Sequence, residues 1–189
     1  MQTAFTGLIP MRGDLRIAVR RAATGEVTWR YEIRNTITYV ALANLVTLLA
    51  QKTFATAGDV NDPENSAITY LRVGDDVTAP VRSNTDLANV LPDSVTPFTI
   101  TLIDANKTLT TSNPFEIKIT ATIGTGDLNG ETLREAGLFT RGSTVAGPVA
   151  EYPTSSGFYP ELFARQVHPD IIKSVAFVVD YDWRIAFTS

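Results

Sequence analysis

The stretch SVAFVVDYDWRIAFTS, residues 174–189, reads as two interleaved sets of side chains. Val175, Phe177, Val179, Tyr181, Trp183, Ile185 and Phe187 form the first set. Ser174, Ala176, Val178, Asp180, Asp182, Arg184, Ala186 and Thr188 form the second. Successive strand residues point to opposite faces, so this alternation predicts a β-strand with one apolar and one mostly polar face. At about 15 residues the strand would be ~50 Å long, beyond the usual span in a β-domain. Either a bulge breaks it within a central position of its own sheet, or its end adds to a neighbouring subunit's sheet. The second case makes Trp183, Ile185 and Phe187 candidate interface residues.

The same period recurs near the other end. Leu15, Ile17 and Val19 alternate with Arg16, Ala18 and Arg20; after the turn ATGE, Val27, Trp29, Tyr31 and Ile33 alternate with Thr28, Arg30, Glu32 and Arg34. Two alternating runs around a Gly-containing turn predict a hairpin. A helix is expected over 37–52, capped by Asn35, Thr36 or Thr38, with Asn44, Thr47 and Gln51 as its narrow polar stripe. Further strands are expected at 67–74, near 96–104, at 114–123 and at 131–140, where Gly137 marks a bulge or close backbone contact. VAEYP and ELFAR read as short strands, and DDVTAPVRSNTDL as a loop ending in one helical turn. Together these predict a single mainly β domain over 1–189, with residues 1–34 a candidate Arg-rich arm. The expected class is an antiparallel β sandwich or jelly-roll-like fold with an N-terminal hairpin and one packed α-helix.

Composition excludes several function classes. The formal charge is −4, opposite to the basic excess a nucleic-acid binder needs. Six arginines (Arg12, Arg16, Arg20, Arg21, Arg30 and Arg34) stand against Asp14, Glu26 and Glu32 in residues 1–34, a local charge of +3. The guanidinium fork suits protein interfaces, so these arginines are candidate contacts to an acidic partner. No cysteine is present, which leaves neither a disulfide framework nor a thiolate site. The N-terminus shows no signal-peptide pattern, and the most apolar run, 37–50, is shorter than a membrane span. A soluble protein assembled in a cytoplasm is expected, with no nucleic-acid or membrane partner.

The search for chemistry finds little. His168, the only histidine, reads as a loop residue in QVHPD, and no second His or Cys accompanies it for a transition-metal site. GTGDLNGE (124–131) lacks the Lys-Ser/Thr of a phosphate loop and reads as a turn. Glu131 and Glu135, four apart on a strand, would share a face ~13 Å apart, with nothing else to support glycoside hydrolysis. The acidic loop with Asp59, Asp62 and Glu64 lacks the Gly and final Glu of a calcium loop. Arg12-Gly13-Asp14 spells an adhesion tripeptide but leads directly into a strand. The expectation is a protein that is not an enzyme and uses no cofactor.

The order of motifs resembles a broad class of bacteriophage virion proteins over residues 24–187. An RN-x-IT segment (Arg34, Asn35, Ile37, Thr38) precedes a helix position; Tyr70, Gly74 and Pro80 match a strand and loop. Glu135, Gly137, Leu138 and Phe139 match an E-x-G-L-F strand, and Ala164, Arg165, Lys173, Trp183 and Ile185 match the ending. The chain departs from the class at Asn84-Thr85-Asp86-Leu87, where a D-T-x-L-like element stands. The resemblance implies a virion part: a capsid decoration (cement) protein, or a tail, tail-fibre, collar or baseplate module to which fibres attach. A fibre chain is expected to run on into a shaft, so 189 residues favour decoration, as a homo-oligomer, with a trimer favoured, on the major capsid protein. A carbohydrate-binding β sandwich is the alternative from another class, with Trp29, Tyr31, Tyr152, Phe158 and Tyr159 as stacking candidates.

Overall fold

Alternation on either side of ATGE folds as the expected hairpin. In the computed structural model, which describes residues 11–38, 68–91, 98–102, 115–140 and 161–187, the hairpin joins β1 (Met11–Arg21) to β2 (Val27–Ile37). The Gly25 amide donates to the Arg21 carbonyl at 2.8 Å, and Gly25 takes φ of 71°, a left-handed conformation that glycine adopts without penalty. Six more strands follow: β3 (Ile68–Gly74), β4 (Phe98–Leu102), β5 (Phe115–Ile123), β6 (Thr132–Thr140), β7 (Leu162–Ile172) and β8 (Phe177–Phe187).

The strand order is β3-β6-β7-β2-β1-β8-β5-β4, and every neighbour is antiparallel. The order divides into two four-stranded halves, β3-β6-β7-β2 and β1-β8-β5-β4, with the β1–β2 hairpin joining them. Inward residues from both halves share one core: Leu15, Ile17, Val179, Tyr181 and Trp183 from one, Leu71, Val73, Leu138 and Ala164 from the other. A second, smaller cluster of Leu87, Phe139 and Leu162 lies beneath the segment after β3. Two apolar contacts on opposite sides explain why β6 is buried almost without alternation.

The C-terminal strand settles at 11 residues, shorter than its alternation suggests. A turn before it, closed by the Phe177 amide donating to the Ser174 carbonyl at 3.0 Å, removes Val175 from the strand and leaves it exposed. β8 then lies between β1 and β5, so both of its edges are already paired. Trp183 and Ile185 are fully buried in this chain's own core, and Phe187 stands opposite Met11 and Phe115 in the ladders.

Four expectations need correction. The helix placed at 37–52 does not begin at Ile37, which closes β2 opposite Ala164; residues 39–52 lie outside the described residues. The β-branched run Thr36-Ile37-Thr38 fits the strand, and the Thr38 hydroxyl donates to the Leu162 carbonyl at 2.7 Å. Among the described residues there is no helix, and the segment ending at Leu87 carries a turn where a helical turn was expected. ELFAR and QVHPD are one strand, β7, since a bulge against Leu133–Glu135 accommodates Pro169, which has no amide to donate. His168 is accordingly a buried strand residue and not a loop one. VAEYP and the loop with Asp59, Asp62 and Glu64 lie outside the described residues.

Candidate contact face

The outward faces of β2, β1, β8 and β5 form a ladder of charges set by the strand registers. One row runs Arg34–Asp14–Arg184–Lys118, the next Glu32–Arg16–Asp182–Thr120, and the third Arg30–Ala18–Asp180–Thr122. Opposite charges facing each other across strands attract, and like charges repel. Arg16 Nη2 donates to Glu32 Oε1 at 3.0 Å, Lys118 Nζ lies 3.3 Å from Asp182, and Arg20 forks onto Asp180. The bond to Glu32 holds the Arg16 pKa above its usual value. Burial works to raise the Asp180 carboxyl, and the bonds from Arg20 and Thr122 outweigh it, so its pKa falls below the usual value. Ala18 is the short side chain in the third row, and a concavity of about 470 Å³ opens there, lined by Arg16, Arg30, Glu32, Asp180 and Asp182.

The six N-terminal arginines thus do not act as one set. Arg16, Arg20 and Arg21 have carboxylate partners within the chain: Glu32, Asp180 and Glu26. Arg30 and Arg34 are exposed on β2 and make no ion pair among the described residues. Arg12 lies in β1 opposite Ala186, and Gly13 is buried between Asn35 and Ile185 in the ladders, so the Arg12-Gly13-Asp14 tripeptide is sheet and not an exposed loop.

The residues that sequence reasoning weighed for chemistry are placed apart. Glu131 is exposed in the turn, while Glu135 is fully buried. Arg165 Nε donates to Glu135 Oε2 at 2.7 Å, and Nη2 lies 2.7 Å from the same oxygen as an ion-pair contact without hydrogen-bond alignment. The Asn89 amide donates to Glu135 Oε1 at 2.9 Å and the Ala88 amide to Oε2 at 3.3 Å, while Arg165 Nη1 reaches Asn84 Oδ1 at 3.2 Å. This buried pair pins the 84–89 segment onto β6 and β7. The sequence offers Glu135 as a motif letter and as a possible acid beside Glu131, and Arg165 only as a motif letter; no pattern in one sequence marks two distant ions as partners.

His168 is 4% exposed, and its Nδ1 lies 2.9 Å from the Pro169 carbonyl oxygen, which only accepts. Nδ1 therefore carries the proton, and Nε2 accepts from the Tyr181 hydroxyl at 3.3 Å. Burial pushes the imidazole down to about 4 and the Tyr181 phenol up. Lys173 is also buried, its Nζ donating to Asn129 Oδ1 at 3.2 Å and to the Ser174 carbonyl at 3.1 Å, so GTGDLNGE is a turn folded around a lysine. Trp29 and Tyr31 stack on each other, centroids 5.7 Å apart and planes at 10°, and both pack on the core. Tyr152, Phe158 and Tyr159 lie outside the described residues. Among the described residues no group of three or more His, Asp or Glu is placed to hold a metal ion.

Comparison with protein-family models, characterised proteins and solved structures gives no match to this chain.

Proposed function

We propose that this chain is a non-enzymatic structural protein of a bacteriophage particle, a β sandwich of jelly-roll-like character that decorates the capsid and strengthens it through protein contacts. One observation supports the reading above others. Four of the residues that carry the resemblance to virion proteins, Gly74, Glu135, Gly137 and Arg165, meet at one buried junction: Glu135 pairs with Arg165, and the amides of Ala88 and Asn89 close over it. Gly74 lies so close that a Cβ there would collide with the Asn89 carbonyl oxygen and Glu135. Gly137 is enclosed by Leu87, Leu162 and Phe139. A motif set of this kind specifies a body and leaves contact to the surface. On that surface Arg30 and Arg34 are the N-terminal arginines best placed to meet an acidic partner, since intrachain carboxylates hold Arg16, Arg20 and Arg21. The proposed assembly is a homo-oligomer, with a trimer favoured, on the major capsid protein.

Copy number tests this. Quantitative mass spectrometry of purified particles is expected to give this chain at a ratio to the major shell protein within a few-fold of one. A ratio of a few per cent would instead make it a tail, collar or baseplate adaptor. Absence from particles would overturn the virion reading.

A further inference from the structure

The β2 strand has one complete edge and one that changes along its length. On the first edge β1 pairs with it from Val27 to Asn35. On the second, β7 pairs only with Thr36 and Ile37 and then diverges. Among the described residues, Val27–Asn35 has no strand on that second edge. An open edge offers a row of backbone donors and acceptors to another strand. The inward residues along it, Trp29, Tyr31 and Ile33, are only half-buried against the core, so an added strand would also cover them.

Charge decides which strand fits. The outward residues read Thr28, Arg30, Glu32, Arg34, all exposed. Arginines on an edge ordinarily repel addition, but here a carboxylate stands between two of them. Antiparallel pairing of β2 with β2 of a second copy, centred on Tyr31, sets Arg30 opposite the second Glu32 and Glu32 opposite the second Arg30. It also sets Trp29 opposite Ile33, large side chain against small. Other registers fail. Centring on Arg30 or Glu32 puts like charges face to face, and centring on Trp29 puts Glu32 opposite Glu26. Centring on Ile33 needs Thr36 and Ile37, which β7 already holds. A one-residue slip sends the apolar row to the outer face.

We propose that the Val27–Asn35 edge of β2 is a self-association site, pairing antiparallel with the same edge of a second copy about a two-fold axis at Tyr31. This concerns the isolated chain and stands apart from the particle reading: copies pair in solution whether or not the chain is found on virions. The contact is isologous, so each Arg30–Glu32 pair forms twice.

The absence of cysteine makes the register directly testable. Arg30→Cys and Glu32→Cys lie on the exposed outer face, where substitution leaves the core intact. Directly opposed residues sit with Cα atoms ~4.5–5.5 Å apart, within disulfide reach. Mixing the two variants under mild oxidation is expected to give a disulfide-linked heterodimer, while neither variant alone links efficiently. In sedimentation velocity the unmodified chain is expected to dimerise at micromolar concentration, and Arg30→Glu to weaken this ~10-fold or more through like-charge contact with Glu32. A monomer at all concentrations, or a dimer indifferent to Arg30→Glu with no cross-link in the mixture, would overturn the proposal.

Discussion

Two sets of arginine–carboxylate pairs hold this molecule, and they differ in what surrounds them. Arg165 and Glu135 are 1% and 0% exposed in their side chains, with backbone amides completing the carboxylate. Arg16 and Glu32 are 45% and 58% exposed on the outer ladder. A buried ion stripped of its partner has no water to turn to, whereas an exposed one is resolvated at once. The same chemistry is therefore architecture in one place and adjustable surface in the other.

The sharpest break in that comparison is Glu135→Ala, which leaves Arg165 buried and unpaired. Urea unfolding is expected to show a loss of ~3–5 kcal/mol, and the double replacement Glu135→Leu with Arg165→Met to recover much of it. If the single change costs no more than an exposed pair does, burial is not what distinguishes the two sets.

Acid tests the junction between β7 and β8. His168 has its folded pKa lowered to about 4 from 6.5, so the unfolded chain binds its proton first. Stability from the neutral imidazole is full above pH 6.5 and is lost as pH falls from there through about 4. The loss approaches ~3 kcal/mol, since each pKa unit is worth about 1.4 kcal/mol. The carboxylates, Asp180 and Asp170 among them, also weaken in acid, so the quantity to compare is the pH slope of stability in the parent and in His168→Gln. The parent is expected to fall more steeply between pH 6.5 and 4, and equal slopes would refute the assignment.

Gly137→Ala probes the packing beneath the 84–89 segment. Its Cβ would sit 2.8 Å from Leu87 and 2.9 Å from Leu162, so thermal unfolding should report a cost of ~1–3 kcal/mol. The smallest effect is expected on the ladder. A double-mutant cycle on Arg16 and Glu32 should give a coupling of ~0.2–1 kcal/mol that fades with salt. A coupling above ~2 kcal/mol there would erase the contrast from the other side.

Much of the body was legible in the sequence because period-two alternation is a local property. The hairpin, β3, β5, β6 and β8 follow directly from it, and Gly137 declared a close contact that the structure fills with side chains. Alternation does not say where a strand stops. A turn at 174–177 shortened β8, and Pro169 concealed the continuity of β7 because a bulge can absorb a missing amide donor. Ile37 looked like a helix start because local propensity cannot register a pairing with Ala164, more than a hundred residues away.

Charge was legible as composition and illegible as arrangement. The sequence alone determined six arginines near the N-terminus, one histidine and no cysteine. Only the tertiary structure decided that Arg20 meets Asp180, that Arg30 and Arg34 lie on a stretch of β2 whose second edge is paired by no strand among the described residues, and that Glu135 meets Arg165 in the core. Alternation is written in neighbouring residues, so one chain segment carries it entire. An ion pair belongs to two segments whose separation in sequence, 160 residues for Arg20 and Asp180, is closed only when the sheet assembles.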